Sequence, residues 1–228
     1  MSDIVEDFLE PIRAPDFPCV GAKSALAKGL LKVTTARDLT SAWNDVAIQA
    51  ALMEWAWAYR REVPEGDGRG DLRSFAVVFE GPRDLSEAAF EEALWERLQS
   101  LADKDAWRGQ PLDRSTSGDP EDPKFSVSFG GEAFFVVGLH PNASRPARRF
   151  PRPAMVFNLH DQFERLREQG RYERMREAIL QRDVALAGTI NPMLERHGEA
   201  SAAPQYSGRQ VGADWVCPFH DPRAENKD

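Results

Sequence analysis

No run of about 18 apolar residues occurs in this 228-residue chain, so no membrane-spanning helix is expected. The amino terminus, Met1-Ser2-Asp3-Ile4-Val5-Glu6-Asp7, is acidic where a secretory leader is basic and then apolar, which predicts a cytoplasmic protein. Cysteine is scarce, with Cys19 and Cys217 alone. In a reducing compartment two thiols make no disulfide framework and are left for core packing, metal ligation or redox chemistry. Positive charge is in deficit too. A net charge of −8 and a pI of about 5.2 argue against general nucleic-acid binding, although a local arginine cluster still suits a small anion.

Several reaction classes lack their motifs. There is no Gly-x-Ser-x-Gly nucleophile elbow and no dinucleotide fingerprint, so any electrons come from a partner or from a cofactor bound another way. The alternating glycines of Gly66, Gly68 and Gly70 are not set between a strand and a helix and make no phosphate cradle. Cys217 and His220 form one pair of metal-ligand type, but Cys19 and His140 lie far away in sequence, so a structural zinc site is poorly supported.

What is present is an ordinary globular composition, 42% hydrophobic and 29% charged. It predicts one domain over residues 1–228, with 1–15 and 221–228 peripheral. The organising stretch runs from Glu132 to Arg167. Ala133 to Leu139 is short, β-branched and aromatic, and reads as a buried strand that delivers His140 to its end. A loop with four prolines follows, carrying Arg145, Arg148, Arg149 and Arg152 as donors for carboxylate or phosphate oxygens. Ala154 to Asn158 is a second strand, and Asp161 with Glu164 has capping-box spacing for a helix that points Phe163 and Leu166 inward.

Elsewhere, Ser74–Glu80 and 124–129 read as strands, the latter joined by Gly130-Gly131 into a hairpin with the strand ending at His140. Asp84 and Glu87 are expected to cap a helix whose Phe90, Leu94, Leu98 and Leu101 share one face. Asp38 to Arg61 is expected to be a central buried helix, with Trp43, Val46, Met53 and Trp57 inward. A further helix runs to about Ala187. The aromatic tail from Gly198 packs back over the domain and frays after Asp221. The fold class is therefore α+β: a small, mainly antiparallel sheet with helices packed on it.

The inventory suits haem: a histidine or cysteine for the iron, an aromatic-lined cavity and arginines for the propionates, with no covalent attachment motif. Phe17-Pro18-Cys19, His140-Pro141, Ala147-Arg148-Arg149-Phe150, Val156-Phe157-Asn158, Gln205-Tyr206-Ser207-Gly208-Arg209 and Cys217-Pro218-Phe219 together resemble the YqcI/YcgG family, over about residues 15–220. Within it the likeness is to the haem-dependent pre-guanitoxin N-hydroxylase type. The resemblance implies a b-type haem oxygenase that hydroxylates a guanidino or amino nitrogen of arginine or a related small molecule. It would use dioxygen and an external electron donor, without nucleic acid or membrane, and a homodimer is compatible with it.

The iron ligand stays open among three residues. His140 is preferred for its rigid strand end, while Cys19 and Cys217 would give a thiolate. Arg148 and Arg149 are expected to hold carboxylates, and Asn158 to hydrogen-bond the second nitrogen of His140. His160 and His197 read as surface or helix-end residues. A non-catalytic haem-binding or haem-sensing protein and a small metal-dependent enzyme are the alternatives.

Overall fold

The computed structural model describes residues 3–62, 71–191 and 199–224. Five strands form one sheet in the order β1-β2-β5-β4-β3, where β1 is Leu31–Asp38, β2 Ser74–Gly81, β3 Val127–Phe129, β4 Glu132–Leu139 and β5 Ala154–Leu159. Only β1 and β2 run parallel; the other pairs are antiparallel, which gives the α+β class expected from the sequence. Gly130 and Gly131, both at positive φ, make the β3–β4 turn, a conformation that costs glycine nothing.

Side-chain alternation divides the sheet's two faces. Phe75, Val77, Phe134, Val136, Met155 and Phe157 enter the larger core cluster with α3 (Asp45–Glu62), α4 (Glu87–Trp107) and the carboxyl-terminal segment. Ala76, Val78, Val137, Leu139 and Val156 face the other way, toward α1 (Ile4–Arg13) and α2 (Val20–Ala27). Helices α5 (His160–Glu168) and α6 (Tyr172–Ala187) follow β5, and Gly188 in the left-handed conformation closes α6.

Several elements depart from the sequence expectations. Strand β1 is an edge strand whose Lys32 and Thr34 face outward or half outward, so it carries no continuous apolar run. Helix α4 is capped by the Ser86 side chain, which accepts from Ala89 N–H, rather than by Asp84. Trp43 and Val46 are 78% and 57% exposed, because Ser41 caps a short 3-10 turn and α3 begins only at Asp45, turning Ile48, Leu52 and Ala56 inward. Helix α5 starts one residue before Asp161, whose carboxylate accepts from Tyr59 Oη at 2.7 Å and pairs with Arg165 instead of capping. The loop at Gly66–Gly70 and His197 lie outside the described residues.

The tail is held beyond the point where fraying was expected. Arg223 donates to Asp105 at 2.6 Å, to Asp221 at 2.7 Å and to the Ser128 carbonyl at 2.9 Å, all in a buried setting on the α3–α4 side.

Candidate functional site

A cavity of about 320 Å³ opens between the sheet and the helices on its α1–α2 face. Its floor is Phe135, Val137 and Leu139 of β4 with Val156 and Asn158 of β5. Phe8 and Ile12 of α1, Cys19, Gly21 and Ala22 at the start of α2, and one face of α6 close it from above. Residues Tyr172, Met175, Ile179 and Leu180 recur at helical spacing on that α6 face. The volume lies at the lower end of the roughly 300–1,000 Å³ usual for small-molecule and cofactor sites, and the lining is mostly apolar, as such sites are.

Cys19 is the N-cap of α2. Its Sγ accepts from Ala22 N–H at 3.4 Å, in the position an oxygen-bearing cap normally takes, so the sulfur meets the positive end of a helix. Burial pushes the Cys19 thiol up, while the backbone donors of Ala22 and Gly21 and the charge of Arg148 pull it back toward the thiolate. Gly21 keeps space around the sulfur. A Cβ there would lie 3.1 Å from Leu72 Cδ1 and 3.8 Å from Cys19 Sγ, so a side chain would crowd the wall beside the thiol.

The charged lining is unbalanced. Arg145, Arg148, Arg167 and Arg176 line the cavity against a single carboxylate, Asp183. Asp183 is buried and paired with Arg145, whose Nε donates to it at 3.0 Å. Arg148 donates to the carbonyls of Gly138 at 3.0 Å, Gln205 at 3.1 Å and Tyr206 at 3.3 Å, and pairs with no carboxylate among the described residues. Its charge is therefore uncompensated. Burial lowers its pKa to about 10, against the opposing pull of Cys19 and Asp183. Three of its five donors are engaged by backbone, so toward the cavity it acts chiefly through charge.

At the other end of the floor the lining turns polar. Ser74 Oγ donates to Asn158 Oδ1 at 2.7 Å, and Gln162 clasps the backbone of Arg73 by accepting from its N–H and donating to its carbonyl. His160, buried at the β5–α5 junction, completes this end. Ser74 and Gln162 were not singled out from the sequence, and His160 was given no role in the site. Strand parity could have found two of them, since Ser74 shares the parity of Ala76 and Val78 in β2 and His160 follows Val156 and Asn158 of β5.

The residues that were singled out are divided between the two faces. Cys19, Arg148 and Asn158 share the cavity. His140 follows Leu139 and so points the other way: its ring stacks on Phe90 of α4 at 4.2 Å, 2% exposed, with Nδ1 unpartnered. Burial lowers its pKa to about 4. The expected contact to Asn158 is not made, because the Asn158 amide donates to the Phe135 carbonyl at 3.4 Å on the opposite side. Cys217 lies in the α3–α4 core, its thiol pushed up to about 12 by burial. Arg149 is exposed and donates to the carbonyls of Ala143 and Ser144; it lines a separate pocket of about 180 Å³ with Asp16 and Phe17. His160 is buried, against the surface reading, but it is the first residue of α5, as the helix-end reading expects. Among the described residues, no group of three or more His, Cys, Asp or Glu is arranged to hold a metal ion, so the Cys217/His220 pair gains no further ligand.

Among the described residues no helix is long and apolar enough to cross a membrane. The family model described as "YqcI/YcgG family" matches residues 6–220. No curated protein and no solved structure matches the chain.

Proposed function

From the premise that this chain belongs to the YqcI/YcgG family, we propose that it is a haem-dependent N-oxygenase of a guanidino or amino compound, with Cys19 as the protein's ligand to the iron. The observation that carries this reading is the Cys19 sulfur: it caps α2, opens on the cavity, and has the uncompensated charge of Arg148 beside it. A thiol in that position is prepared to become an anion once a metal replaces its proton. His140 is less suited, since its ring is on the far side of the sheet against Phe90.

The remaining lining fits the group. Apolar floor residues suit a flat macrocycle, and an arginine-rich lining suits its propionates. Arg148, whose guanidinium is met by carbonyls and by no carboxylate among the described residues, is the lining arginine whose charge would face them. Bound haem would supply dioxygen activation, which a thiolate donor favours. The protein's own work is to exclude water with α1, α2 and α6, and to orient the substrate. Ser74, Asn158 and Gln162 form a polar end at which a substrate nitrogen can be fixed by hydrogen bonds.

The test is an absorption spectrum of the full-length protein expressed with ample haem, followed by product analysis with arginine, dioxygen and a reductant. The expected results are a Soret band, a red-shifted ferrous carbonyl band of thiolate type that is lost in Cys19→Ser, and an N-hydroxylated product. Absence of haem from the protein would overturn the proposal. Haem binding without any product would leave a haem-binding or haem-sensing protein.

A further inference from the structure

His160 is the first residue of α5, directly after β5, so its backbone is fixed by a strand on one side and a helix on the other. The imidazole is buried and lines the polar end of the cavity. Its Nε2 lies 3.3 Å from Glu164 Oε1, one helical turn on, and the Glu164 side chain is 45% exposed. A titratable ring at the cavity wall thus touches a titratable carboxylate that touches solvent. Arg167, itself a lining residue, pairs with the same carboxylate and fixes it.

We infer that His160 and Glu164 form a proton path between solvent and the cavity, with His160 facing the ligand and Glu164 as its positioning and relay residue. The inference rests on the oxygenase reading for its purpose. In that reaction R–NH2, O2, two electrons and two protons give R–NHOH and H2O. One oxygen atom is inserted between nitrogen and hydrogen, and the other leaves as water. The electrons come from an external reduced flavoprotein or iron–sulfur protein, and the two protons must reach a cavity walled mainly by hydrocarbon. Along the path, Nε2 takes a proton from the Glu164 carboxyl and the imidazole releases one toward the cavity, after which Glu164 is reprotonated from water.

The electrostatics agree with transfer rather than a fixed charge. Burial lowers the pKa of His160, opposed by Glu164, while Arg167 lowers it further and Asp113, from the segment preceding β3, raises it. The ring is therefore neutral near pH 7, the form that accepts a proton.

The variants are His160→Gln, Glu164→Gln and Glu164→Asp, with wild type alongside. In the full-length protein without added haem, NMR of labelled histidine should show the His160 titration midpoint falling in Glu164→Gln and recovering in Glu164→Asp. An unmoved midpoint would overturn the path. In the haem-loaded protein, His160→Gln should keep its haem content and Soret band but lose product roughly 10²-fold, with reducing equivalents diverted to hydrogen peroxide. Glu164→Gln should displace the pH profile rather than scale it. Wild-type coupling and pH profile in both Gln variants would also overturn the path. If wild type itself binds no haem and makes no product, the oxygenase reading falls, and the titration arm alone decides whether His160 and Glu164 titrate as a coupled pair.

Discussion

The imidazole of His140 stacks on the ring of Phe90 at a centroid distance of 4.2 Å and an interplanar angle of 16°, on the face of the sheet away from Cys19. This ring is held neutral. Its pKa falls from 6.5 to about 4 through burial, while the unfolded chain still binds a proton up to pH 6.5. Between those values the unfolded state holds more protons, so stability is fully present above pH 6.5 and is lost as pH drops toward 4, by about 3 kcal/mol at most. Urea titrations of wild type and His140→Phe across pH 4–7 check this. The variant keeps the stack, removes an unpartnered nitrogen, and should show a flatter pH dependence. Its haem content should match wild type; loss of haem in His140→Phe would return the ligand role to His140.

Gly138 sits two residues before that ring, where the sheet, α4 and the tail converge. A Cβ there would lie 2.6 Å from Leu94 Cδ1, 2.8 Å from Phe90 Cε1 and 3.0 Å from the Tyr206 carbonyl oxygen. The Tyr206 carbonyl also accepts from Gly138 N–H at 2.7 Å, so the strand and the tail cannot separate without losing that bond. Gly138→Ala should therefore destabilise the protein by about 1–3 kcal/mol, read as a lower midpoint in denaturant at unchanged slope.

The buried cluster around Arg223 makes the turn at residues 221–224 structural. Asp105 accepts from Arg223, from Gln49 at 2.8 Å and from Gly130 N–H at 3.1 Å, so it ties α3, α4, the β3–β4 turn and the tail together. Removing the cation leaves two buried carboxylates, Asp105 and Asp221, without it. Arg223→Ala should cost about 3–5 kcal/mol, and a chain ending at residue 220 should lose a comparable amount. Thermal melts that match wild type for both would reduce the cluster to a surface decoration.

How much of this was legible depended on periodicity. The α4 face of Phe90, Leu94, Leu98 and Leu101, the β3–β4 hairpin and β5 carry strong patterns and appear where expected. Helix α2 does not advertise itself: Val20-Gly21-Ala22-Lys23-Ser24-Ala25-Leu26-Ala27 is small and weakly amphipathic, so nothing local showed that the Cys19 sulfur caps a helix. The assignment of His140 turned on parity. In a strand a one-residue step changes the face, and the floor residues Phe135, Val137 and Leu139 place position 140 on the opposite side. The Arg223 cluster joins residues more than a hundred positions apart, and no local pattern announces such a pairing.

The charge of Arg148 gives a prediction separate from ligation. If its role is to offset negative charge at Cys19 and in the cavity, Arg148→Met should weaken haem retention about tenfold or more, since a charge-assisted contribution of about 1.5–3 kcal/mol is removed. Arg148→Lys should fall between the two, keeping charge but not the three-carbonyl clasp. Arg149→Lys should behave as wild type, because its guanidinium lies outside the cavity on the Ala143 and Ser144 carbonyls. Haem dissociation rates measured by transfer to an acceptor protein rank the four.

Helix α6 supplies the last prediction. Its Tyr172, Met175, Ile179 and Leu180 look into the cavity rather than onto a packed layer, and Asp183 is its one buried residue. An amphipathic helix takes most of its stability from burying such a face, so a ligand that fills the cavity should stabilise α6. Polar ties hold it as well: the Arg145–Asp183 pair, the bond from Arg145 to the Thr189 carbonyl, and the bond from Arg182 to the Pro15 carbonyl. Hydrogen exchange of α6 should accordingly be faster than that of α4 in the haem-free protein and slow on haem addition, by at least tenfold if the ligand contributes about 1.4 kcal/mol to its closure. Arg145→Ala should accelerate exchange in the haem-free protein and raise its dependence on haem, because the ligand then carries more of the closure. Equal α6 exchange with and without haem would show that the helix is already fully stabilised by its polar ties, and that the ligand occupies the cavity without bearing on its cover.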